Sequence, residues 1–395
     1  MSPDGDQPPV PSATAGCWGT WVRAEAGTIR AADRWREPRS FDAAGPEGRL
    51  VAAGRDVVSF ASNDYLGLSQ HPRVKAAAVA AIERWGTGAG ASRHVVGSRP
   101  VHHDLEAALA GWRATAAATV FPTGYAANLG VLSVLGGPGV RIHSDELNHA
   151  SIIDGCRMAR ANGADVRVHR HLDLEGLARG LAEPGAARQL VVVDSVFSMD
   201  GDVAPVDDLL GLCAEHDALL VVDEAHAVLQ PVPTAPPDGP PVVQVGTLSK
   251  TLGALGGFVA GPTDLIELVV NRARPHIFTT ALSPADAAAA LAAVGVLRSA
   301  EGEGLRQRLR RHVERVRPGH PTPVLAVVLG DEATALAASA QLLEQGLLVP
   351  AIRPPTVPPG TSRLRVALSA AHTDDQVDRL VAALERLGAP VGSPR

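Results

Sequence analysis

An alternation of short apolar strand patterns with Ala- and Leu-rich helical patterns, from residue 57 to residue 274, constrains the fold more than any other feature. This alternation is typical of βαβ units and predicts an α/β fold with a mainly parallel sheet. Uninterrupted apolar runs such as LLVV at 219–222 indicate that helices cover both faces of the sheet. Ligands of such sheets bind at the carboxyl ends of the strands. Seven strands are predicted, at TVF 119–121, VRIHS 140–144, VRVH 166–169, QLVVVDSV 189–196, ALLVVDEA 218–225, VVQVGTL 242–248 and GGFVAG 256–261.

The rest of the chain divides into a tail, an arm and a smaller C-terminal domain. The first residues are rich in Pro, Ser and Gly, which predicts a disordered tail, and a helical arm is expected around 18–36. Near the C-terminus a pair of long helical patterns precedes alternating short strands and helices, which predicts an α+β domain. There Thr373 and Gln376 have the spacing of a capping box. The predicted organisation is a tail at 1–16, an N-terminal arm at 17–56, a large domain at 57–274 and a small domain at 275–395.

Proline and glycine set the limits of several elements. A helix at 72–85 begins with Pro72 and ends before Gly86, and a helix at 149–162 ends before a glycine. The Pro-rich stretch 228–243 predicts a loop between two strands. Further helices are predicted at 284–317, as two segments, and at 332–345.

Composition excludes several classes of partner. The net charge is −6 and charged residues make up 20% of the chain, so no basic surplus can neutralise a nucleic-acid backbone. No apolar run approaches the roughly 20 residues of a membrane-spanning helix, and the first residues lack a signal-peptide pattern, which predicts a cytoplasmic protein without a membrane partner. Three widely spaced cysteines, Cys17, Cys156 and Cys213, suit neither a disulfide framework nor a zinc site. They predict buried, reduced thiols and no metal.

Lysine occurs at only two positions, Lys75 and Lys250, among 36 basic residues. Arginine cannot form a Schiff base, so a lysine retained in a glycine-rich loop is a candidate nucleophile. Lys250 lies in such a loop, GTLSKTLGALGG. Lys75 lies in an Ala-rich helical pattern and fits a solvated helix position.

Asp223 and His226 in VVDEAH follow one predicted strand, and Lys250 follows the next. These side chains can therefore converge at one edge of the sheet. An enzyme that uses pyridoxal 5′-phosphate (PLP) needs a lysine to hold the aldehyde and a carboxylate to keep the pyridine nitrogen protonated. Alone, D-E-A-H fits equally a structural strand end or a helicase-type box, but no glycine-rich loop with G-K-S/T precedes it. Together with Lys250 it favours a PLP enzyme.

Seven sequence blocks in collinear order resemble one family over roughly residues 30–390. They are SNDYLGL 62–68, GTGAGASR 86–93, TGYAAN 123–128, NHASIIDG 148–155, VFSMDGD 196–202, DEAH 223–226 and GTLSK 246–250. The order and spacing resemble the α-oxoamine synthases, which are PLP-dependent transferases of fold type I. The resemblance implies a large domain around a mainly parallel seven-stranded sheet, a smaller α+β C-terminal domain and a homodimer with shared active sites.

The resemblance assigns roles around the cofactor ring. It implies that Lys250 binds PLP as an imine and moves the α-proton, and that Asp223 pairs with the pyridine nitrogen. His226 and Ser198 are expected to contact the phenolic oxygen. His149 is expected to stack on the ring; the alternative is a helix N-terminal residue turned to solvent.

The resemblance also implies a phosphate site. Gly124 and Tyr125 open a helix after a predicted strand, so backbone N–H groups at the helix N-terminus can receive the phosphate. Thr247 adds a hydroxyl. In the family, a threonine of the partner subunit completes the site. Thr279 or Thr280 occupies the matching position, and Thr280 is the predicted residue.

The block AIRPPTVPPGTSRLRVALSAAH at 351–372 resembles the family members that condense L-alanine with a pimeloyl thioester to 8-amino-7-oxononanoate in biotin biosynthesis. The donor is then pimeloyl-CoA or a pimeloyl carrier protein, which makes an acyl carrier protein a possible partner. Arg353 matches the arginine that holds the amino-acid carboxylate, and Thr356 a substrate contact. Asn63 matches a group near that carboxylate and fits a turn residue nearly as well. Arg36 matches an arginine near the acyl substrate.

Two other functions stay open. One is a sister synthase that uses glycine, of the 2-amino-3-oxobutyrate or aminolevulinate type, or a longer acyl chain, because fold does not fix function. The other is a catalytically silent protein with the same fold, against which the presence of Lys250, Asp223, His226 and His149 argues.

The chain departs from the family pattern in three places. It has AVLQPVPTAPPDGPP after D-E-A-H, Asp194 where relatives often carry glutamate, and a shortened segment at 300–330. These departures affect a loop, the fit of the acyl chain and domain packing rather than the cofactor chemistry.

Overall fold

An arm of one helix and three strands opens the described portion of the chain. The computed structural model describes residues 14–32, 34–234 and 239–388. The three strands pair antiparallel, an arrangement that the sequence analysis missed although Gly45 and Pro46 are a turn signal. The helix predicted around 18–36 ends earlier, at Ala31. The arm consists of α1 Gly16–Ala31, β1 Phe41–Ala43, β2 Glu47–Leu50 and β3 Arg55–Ser59.

Four predicted segments lie partly outside the described residues. The residues concerned are 1–13 of the tail, 33 of the N-terminal arm, 235–238 of the Pro-rich loop and 389–395 of the small domain. Helix α1 begins within the predicted tail, at Gly16. The described residues before Val242 in the loop form no regular secondary structure, as predicted.

All seven strands predicted for the large domain form and join in one sheet. Its order is β4-β10-β9-β8-β7-β5-β6 for strands β4 Ala117–Phe121, β5 Val140–Asp145, β6 Asp165–His169, β7 Arg188–Asp194, β8 Ala218–Asp223, β9 Val242–Thr247 and β10 Gly257–Gly261. Only β10 runs antiparallel to its neighbours. The carboxyl ends of β5, β7, β8 and β9 therefore lie at one edge.

Helices cover both faces of this sheet, as the uninterrupted apolar runs predict. Along β8, Leu220 and Val222 pack into the core below two helices, while Val221 between them packs into the core on the opposite face. Both rows of side chains are therefore buried, which the alternating side-chain direction of a strand requires of a covered sheet. The helices are α2 Pro72–Trp85, α3 Pro100–Trp112, α4 Gly124–Leu135, α5 Ala150–Ala161, α6 Leu174–Ala182, α7 Val206–Glu215, α8 Thr263–Arg272 and α9 Arg274–Ile277.

The C-terminal segment of the chain forms a small α+β unit that touches the arm. It contains α10 Pro284–Leu297, α11 Ala300–Val316, β11 Val324–Gly330, α12 Glu332–Glu344, β12 Leu347–Leu348, β13 Ala351–Ile352, β14 Ser362–Ala367 and α13 Asp374–Arg386. The predicted capping box of Thr373 and Gln376 begins α13. Strands β11, β14 and β13 form an antiparallel sheet, whereas β12 pairs with β3 of the arm. Helix α10 follows the predicted domain boundary at residue 275 but packs against α2 and α3 of the preceding segment. The boundary therefore stays a prediction.

The prediction of three buried cysteines is wrong for one of them. Cys156 and Cys213 are buried, but Cys17 is exposed, because α1 buries only Gly19 of its sixteen residues.

Within the described ranges, no helix combines the length and the apolar character that crossing a bilayer requires.

The turn after β7, which carries Ser198, is anchored by a close backbone approach. Gly201 in this turn has φ +79°, and a Cβ there would overlap the carbonyl oxygen of Val324 at the start of β11. The hydroxyl of Thr322 donates to the carbonyl oxygen of Gly201 at 3.0 Å. The turn thus lies directly against the small α+β unit.

His171 ties the same turn to the end of β5. Its Nδ1 lies 3.1 Å from Oδ1 of Asp145, its Nε2 lies 3.2 Å from Oδ2 of Asp202, and its ring meets Phe197 edge-on at 4.4 Å. Burial lowers the pKa of His171, but the two carboxylates outweigh burial and raise the pKa to about 9. The residue is therefore an imidazolium at neutral pH.

We expect Gly201→Ala to lower the free energy of unfolding by roughly 2–4 kcal/mol, the sum of left-handed strain and overpacking. Gly319→Ala is the matched control, since Gly319 has φ +74° with no described atom within 4 Å of a Cβ. That variant should lose only about 1–2 kcal/mol. Denaturant unfolding measures both, and equal losses would contradict the close approach.

We expect the free energy of unfolding to fall as pH rises from about 6.5 to 9, because the folded pKa of His171 is raised above its ordinary value of 6.5. The contribution is fully present below pH 6.5 and should be on the order of 1–2 kcal/mol after allowance for partial exposure. His171→Gln should flatten this slope, whereas His216→Gln, at the end of α7, should not. An unchanged slope in His171→Gln would show that the contacts of His171 with Asp145 and Asp202 are not ionic.

Candidate active site

A cavity of about 250 Å³ opens at the carboxyl edge of the large sheet. It lies where β7, β8 and β9 end and where α4 and α5 begin. Seven residues that the sequence analysis singled out line it: Gly124, Tyr125, His149, Asp223, His226, Thr247 and Lys250. The structure therefore brings together groups that are up to 126 positions apart in the chain.

Two carboxylates lie side by side in the cavity wall. Asp194 and Asp223 end neighbouring parallel strands and are paired in register. Asp223 accepts hydrogen bonds at Oδ2 from Asn128 Nδ2, at 2.6 Å, and at Oδ1 from the N–H of Ala225, at 2.9 Å. Asp194 accepts one from the N–H of His149 at 2.6 Å. Burial, with the charge of Asp223 added, raises the pKa of Asp194 well above its usual range.

Lys250 is connected to the interior by a chain of hydrogen bonds. Its Nζ lies 2.9 Å from Nε2 of His226, and Nδ1 of His226 lies 2.5 Å from the hydroxyl of Tyr65. That hydroxyl donates to Oδ1 of Asn63 at 3.2 Å. Burial lowers the pKa of Lys250, lowers that of His226 well below its ordinary value, and raises that of Tyr65 to about 12. Neutral His226 can then accept from the lysine and donate to Tyr65.

Arg365 of β14 is a site residue that the sequence analysis did not name. It is only 5% exposed, and it donates to the carbonyl oxygen of Ser198 at 2.6 Å and to Oδ1 of Asn63 at 3.1 Å. Its charge also contributes to the lowered pKa values of His226 and Lys250. The available signal was an arginine inside the apolar strand pattern LRVALSA, since buried arginine requires partners.

The start of α4 forms a narrow backbone cradle. Thr123 caps the helix by accepting from the N–H of Ala126 at 3.0 Å. A Cβ at Gly124 would lie 3.2 Å from Cβ of Thr247, and a Cβ at Gly257 would lie 2.5 Å from the nitrogen of Gly124. Both glycines are therefore needed for the close packing. The first N–H groups of α4 and the hydroxyl of Thr247 together suit a phosphate.

His149 caps α5 and lines the cavity. Tyr125 meets it edge-on at 6.2 Å between ring centroids, and the hydroxyl of Tyr125 is held by Asp154. Desolvation lowers the pKa of His149, the charge of Asp223 opposes this shift and that of Lys250 adds to it. The imidazole therefore shares the cavity with Asp223 at the end of β8.

The remaining predicted residues do not line this cavity. Ser198 faces Arg365 through its carbonyl oxygen, as does Asn63 through its side chain. Arg36 of the arm donates to the hydroxyl of Thr356 at 3.1 Å, so these two residues do meet. Arg353 is half-buried just after β13, and Thr280 is exposed after α9. The roles of all these residues remain predictions.

The donor set fits PLP. Lys250 offers an amine for the aldehyde, Asp223 a carboxylate for the ring nitrogen, and α4 with Thr247 a phosphate cradle. Oδ1 of Asn128, which also lines the cavity, is buried without a hydrogen-bond partner among the described residues. An orphaned acceptor of this kind is expected where a polar ligand belongs.

Known proteins share both sequence and fold with this chain. The profile of the family "Aminotransferase class I and II" matches residues 55–384. An 8-amino-7-oxononanoate synthase of Anaeromyxobacter dehalogenans is 49% identical over 385 residues, which cover 92% of this chain and 94% of that protein. A serine palmitoyltransferase structure with PLP as internal aldimine has a TM-score of 0.83 at 31% identity and covers 95% of this chain and 100% of that one.

An 8-amino-7-oxononanoate synthase structure from Francisella tularensis has a TM-score of 0.68 at 25% identity, covering 84% of this chain and 96% of that one. These similarities confirm the predicted fold type and cofactor. The chain belongs to the aminotransferase class I and II family and, within it, to the α-oxoamine synthases, which are PLP-dependent acyltransferases.

Proposed function

We propose that this protein condenses L-alanine with a pimeloyl thioester, with loss of CO2, to give 8-amino-7-oxononanoate and a free thiol in biotin biosynthesis. The observation that carries the proposal is the convergence of Lys250, Asp223 and His226 in one cavity of a chain that is 49% identical to an 8-amino-7-oxononanoate synthase. The block at 351–372, which resembles the alanine-using members, supports the choice of substrate.

Lys250 is suited to move the α-proton of the amino acid. When bound, PLP stabilises the electron pair left on the α-carbon by loss of a proton or of CO2. Burial lowers the pKa of Lys250, so more of its amine is unprotonated near neutral pH than for a solvated lysine. His226 holds Nζ at 2.9 Å, which fixes where the proton is taken up and returned.

Asp223 is suited to hold a protonated ring nitrogen. Both of its oxygens accept hydrogen bonds from neutral N–H groups, so the carboxylate is stabilised without being neutralised. Its charge remains available to the cavity. Burial and the charge of Asp223 raise the pKa of Asp194 beside it, which disfavours a second negative charge there.

Arginines outside the cavity lining are proposed to recognise the substrates' carboxylates. Arg353 is proposed to bind the amino-acid carboxylate, with Asn63 near that carboxylate. Thr356 is proposed as a further substrate contact, and Arg36 as a group near the acyl substrate. The contact between Arg36 and Thr356 supports this pairing, because it joins the arm to the segment that follows β13. Arg365 supplies a second positive charge, already oriented by Asn63 and Ser198.

We propose that the working unit is a homodimer in which the partner's Thr280 completes the phosphate site. Thr280 is exposed and does not line the cavity of its own chain. Phe278, Val95 and Val96 are at least 67% exposed, as expected of a surface that a second copy covers. The acyl donor, CoA or a carrier protein, and the cytoplasmic location stay predictions.

The glycine-using and longer-chain sister synthases remain the second candidate. The fold is also that of serine palmitoyltransferase, a differently named enzyme, so the fold alone does not select the substrates. A catalytically silent protein is disfavoured because Lys250, His226, Asp223 and His149 all line one cavity.

We expect Lys250→Ala to lose the visible absorbance of lysine-bound PLP and to lower turnover by at least roughly 10²–10⁴-fold, the range of general acid–base catalysis. Lys75→Ala is the matched control, because Lys75 is the other lysine of the chain and lies exposed on α2. Absorption spectra, and turnover assays with both L-alanine and pimeloyl-CoA, measure the two variants. Retained turnover in Lys250→Ala would rule out the assigned base.

We expect L-alanine to perturb the absorbance of the bound cofactor at lower concentration than glycine, and pimeloyl-CoA to be consumed roughly 10–200-fold faster with L-alanine than with glycine. The physical reason is that a methyl group filling an apolar pocket contributes about 1–3 kcal/mol of selectivity. Titration of the cofactor absorbance with each amino acid measures the first preference, and release of the free thiol from pimeloyl-CoA measures the second. A preference for glycine would move the protein to a sister synthase.

A further inference from the structure

A second set of hydrogen bonds joins the carboxylate of Asp223 to the imidazole of His149. Asn128 of α4 lies between them and is 1% exposed. Its Nδ2 is 2.6 Å from Oδ2 of Asp223 and 2.9 Å from Oγ of Ser151. Ser151 Oγ is in turn 2.7 Å from Nδ1 of His149.

The direction of each hydrogen bond in this set is determined. Asp223, as a carboxylate, can only accept, so the amide nitrogen of Asn128 and not its oxygen must face it. The second hydrogen of the same nitrogen is donated to Ser151 Oγ. The backbone N–H of Ser151 donates to Nδ1 of His149, at 3.2 Å, so this ring nitrogen is an acceptor. The hydroxyl of Ser151, whose oxygen accepts from Asn128, then donates its hydrogen to the same nitrogen.

Two donors thus converge on one ring nitrogen of His149. A nitrogen that accepts hydrogen bonds carries no proton, so in a neutral imidazole the proton must lie on Nε2. Nε2 has no hydrogen-bond partner among the described residues, and His149 lines the cavity. The groups around it are the charges of Asp223 and Lys250, the ring edge of Tyr125, and Asp194 at its backbone N–H.

We propose that Asn128 and Ser151 are positioning residues that hold His149 as a neutral imidazole with its proton on Nε2, and so present a hydrogen-bond donor to the cavity. The arrangement rests on the same cofactor site as the proposed function but not on the identity of the substrates. It couples α4 and α5, because Asp223 orients Asn128, Asn128 orients Ser151, and Ser151 sets the tautomer of His149. An uncharged His149 also adds no positive charge beside the amine of Lys250 in the cavity.

The tautomer can be read directly by nitrogen NMR of the full chain labelled with ¹⁵N-histidine, with and without PLP. His149 is assigned by the resonances missing from His149→Gln. We expect one unprotonated and one protonated ring nitrogen in the wild type, with Nε2 protonated, and titration below the ordinary range of histidine. In Ser151→Ala we expect the two tautomers of His149 to mix, so that the difference in ¹⁵N chemical shift between Nδ1 and Nε2 is lost.

Ser133→Ala is the matched control, because Ser133 also lies in the large domain but its hydroxyl donates to the carbonyl oxygen of Gly130 within α4. It should leave the resonances of His149 unchanged. A wild-type spectrum with Nδ1 protonated, or an unchanged tautomer in Ser151→Ala, would overturn the proposal. Asn128→Leu should mix the tautomers as Ser151→Ala does, and if either variant fails to fold, the wild-type spectrum still decides. Because no substrate is added, failure of the alanine assay would leave this result standing.

Discussion

The burial of charge at the carboxyl edge of the large sheet is the constraint on which the rest of the site depends. The parallel register of β7 and β8 places Asp194 and Asp223 side by side, and two buried carboxylates cannot both be anionic without compensation. Asp223 is compensated by Asn128 and Ala225, while Asp194 has a raised pKa and one backbone donor. The starts of α4 and α5 must therefore meet at this edge.

The same need for compensation joins separate segments of the chain. Arg365 reaches the site from β14 of the small unit and is paired there with Ser198 and Asn63, which belong to the turn after β7 and to the segment after β3. Gly201 brings that turn against the start of β11. The cofactor pocket is built by the large sheet, but the walls where substrates are proposed to bind come from the arm and the small α+β unit.

Sequence reasoning succeeded where the relevant pattern is local. The seven strands, α2 and the capping box of α13 follow from apolar periodicity and from proline, glycine and polar residues at fixed offsets. It failed where local signals are weak: the strands of the arm are three to five residues long, and Cys17 looked buried only by composition. Arg365 was passed over because an arginine gains meaning only from what it contacts.

The sequence by itself determined the fold class and the cofactor and predicted the lysine that would bind it, because strand ends, a single loop lysine and an acidic residue can be recognised from residue type and order. Only the tertiary structure decided which groups share the cavity, that His226 lies between Lys250 and Tyr65, and that Asn128 and Ser151 connect Asp223 to His149. The reason is physical: protonation state and hydrogen-bond direction depend on burial and on neighbours distant in sequence, and neither is encoded at any one position.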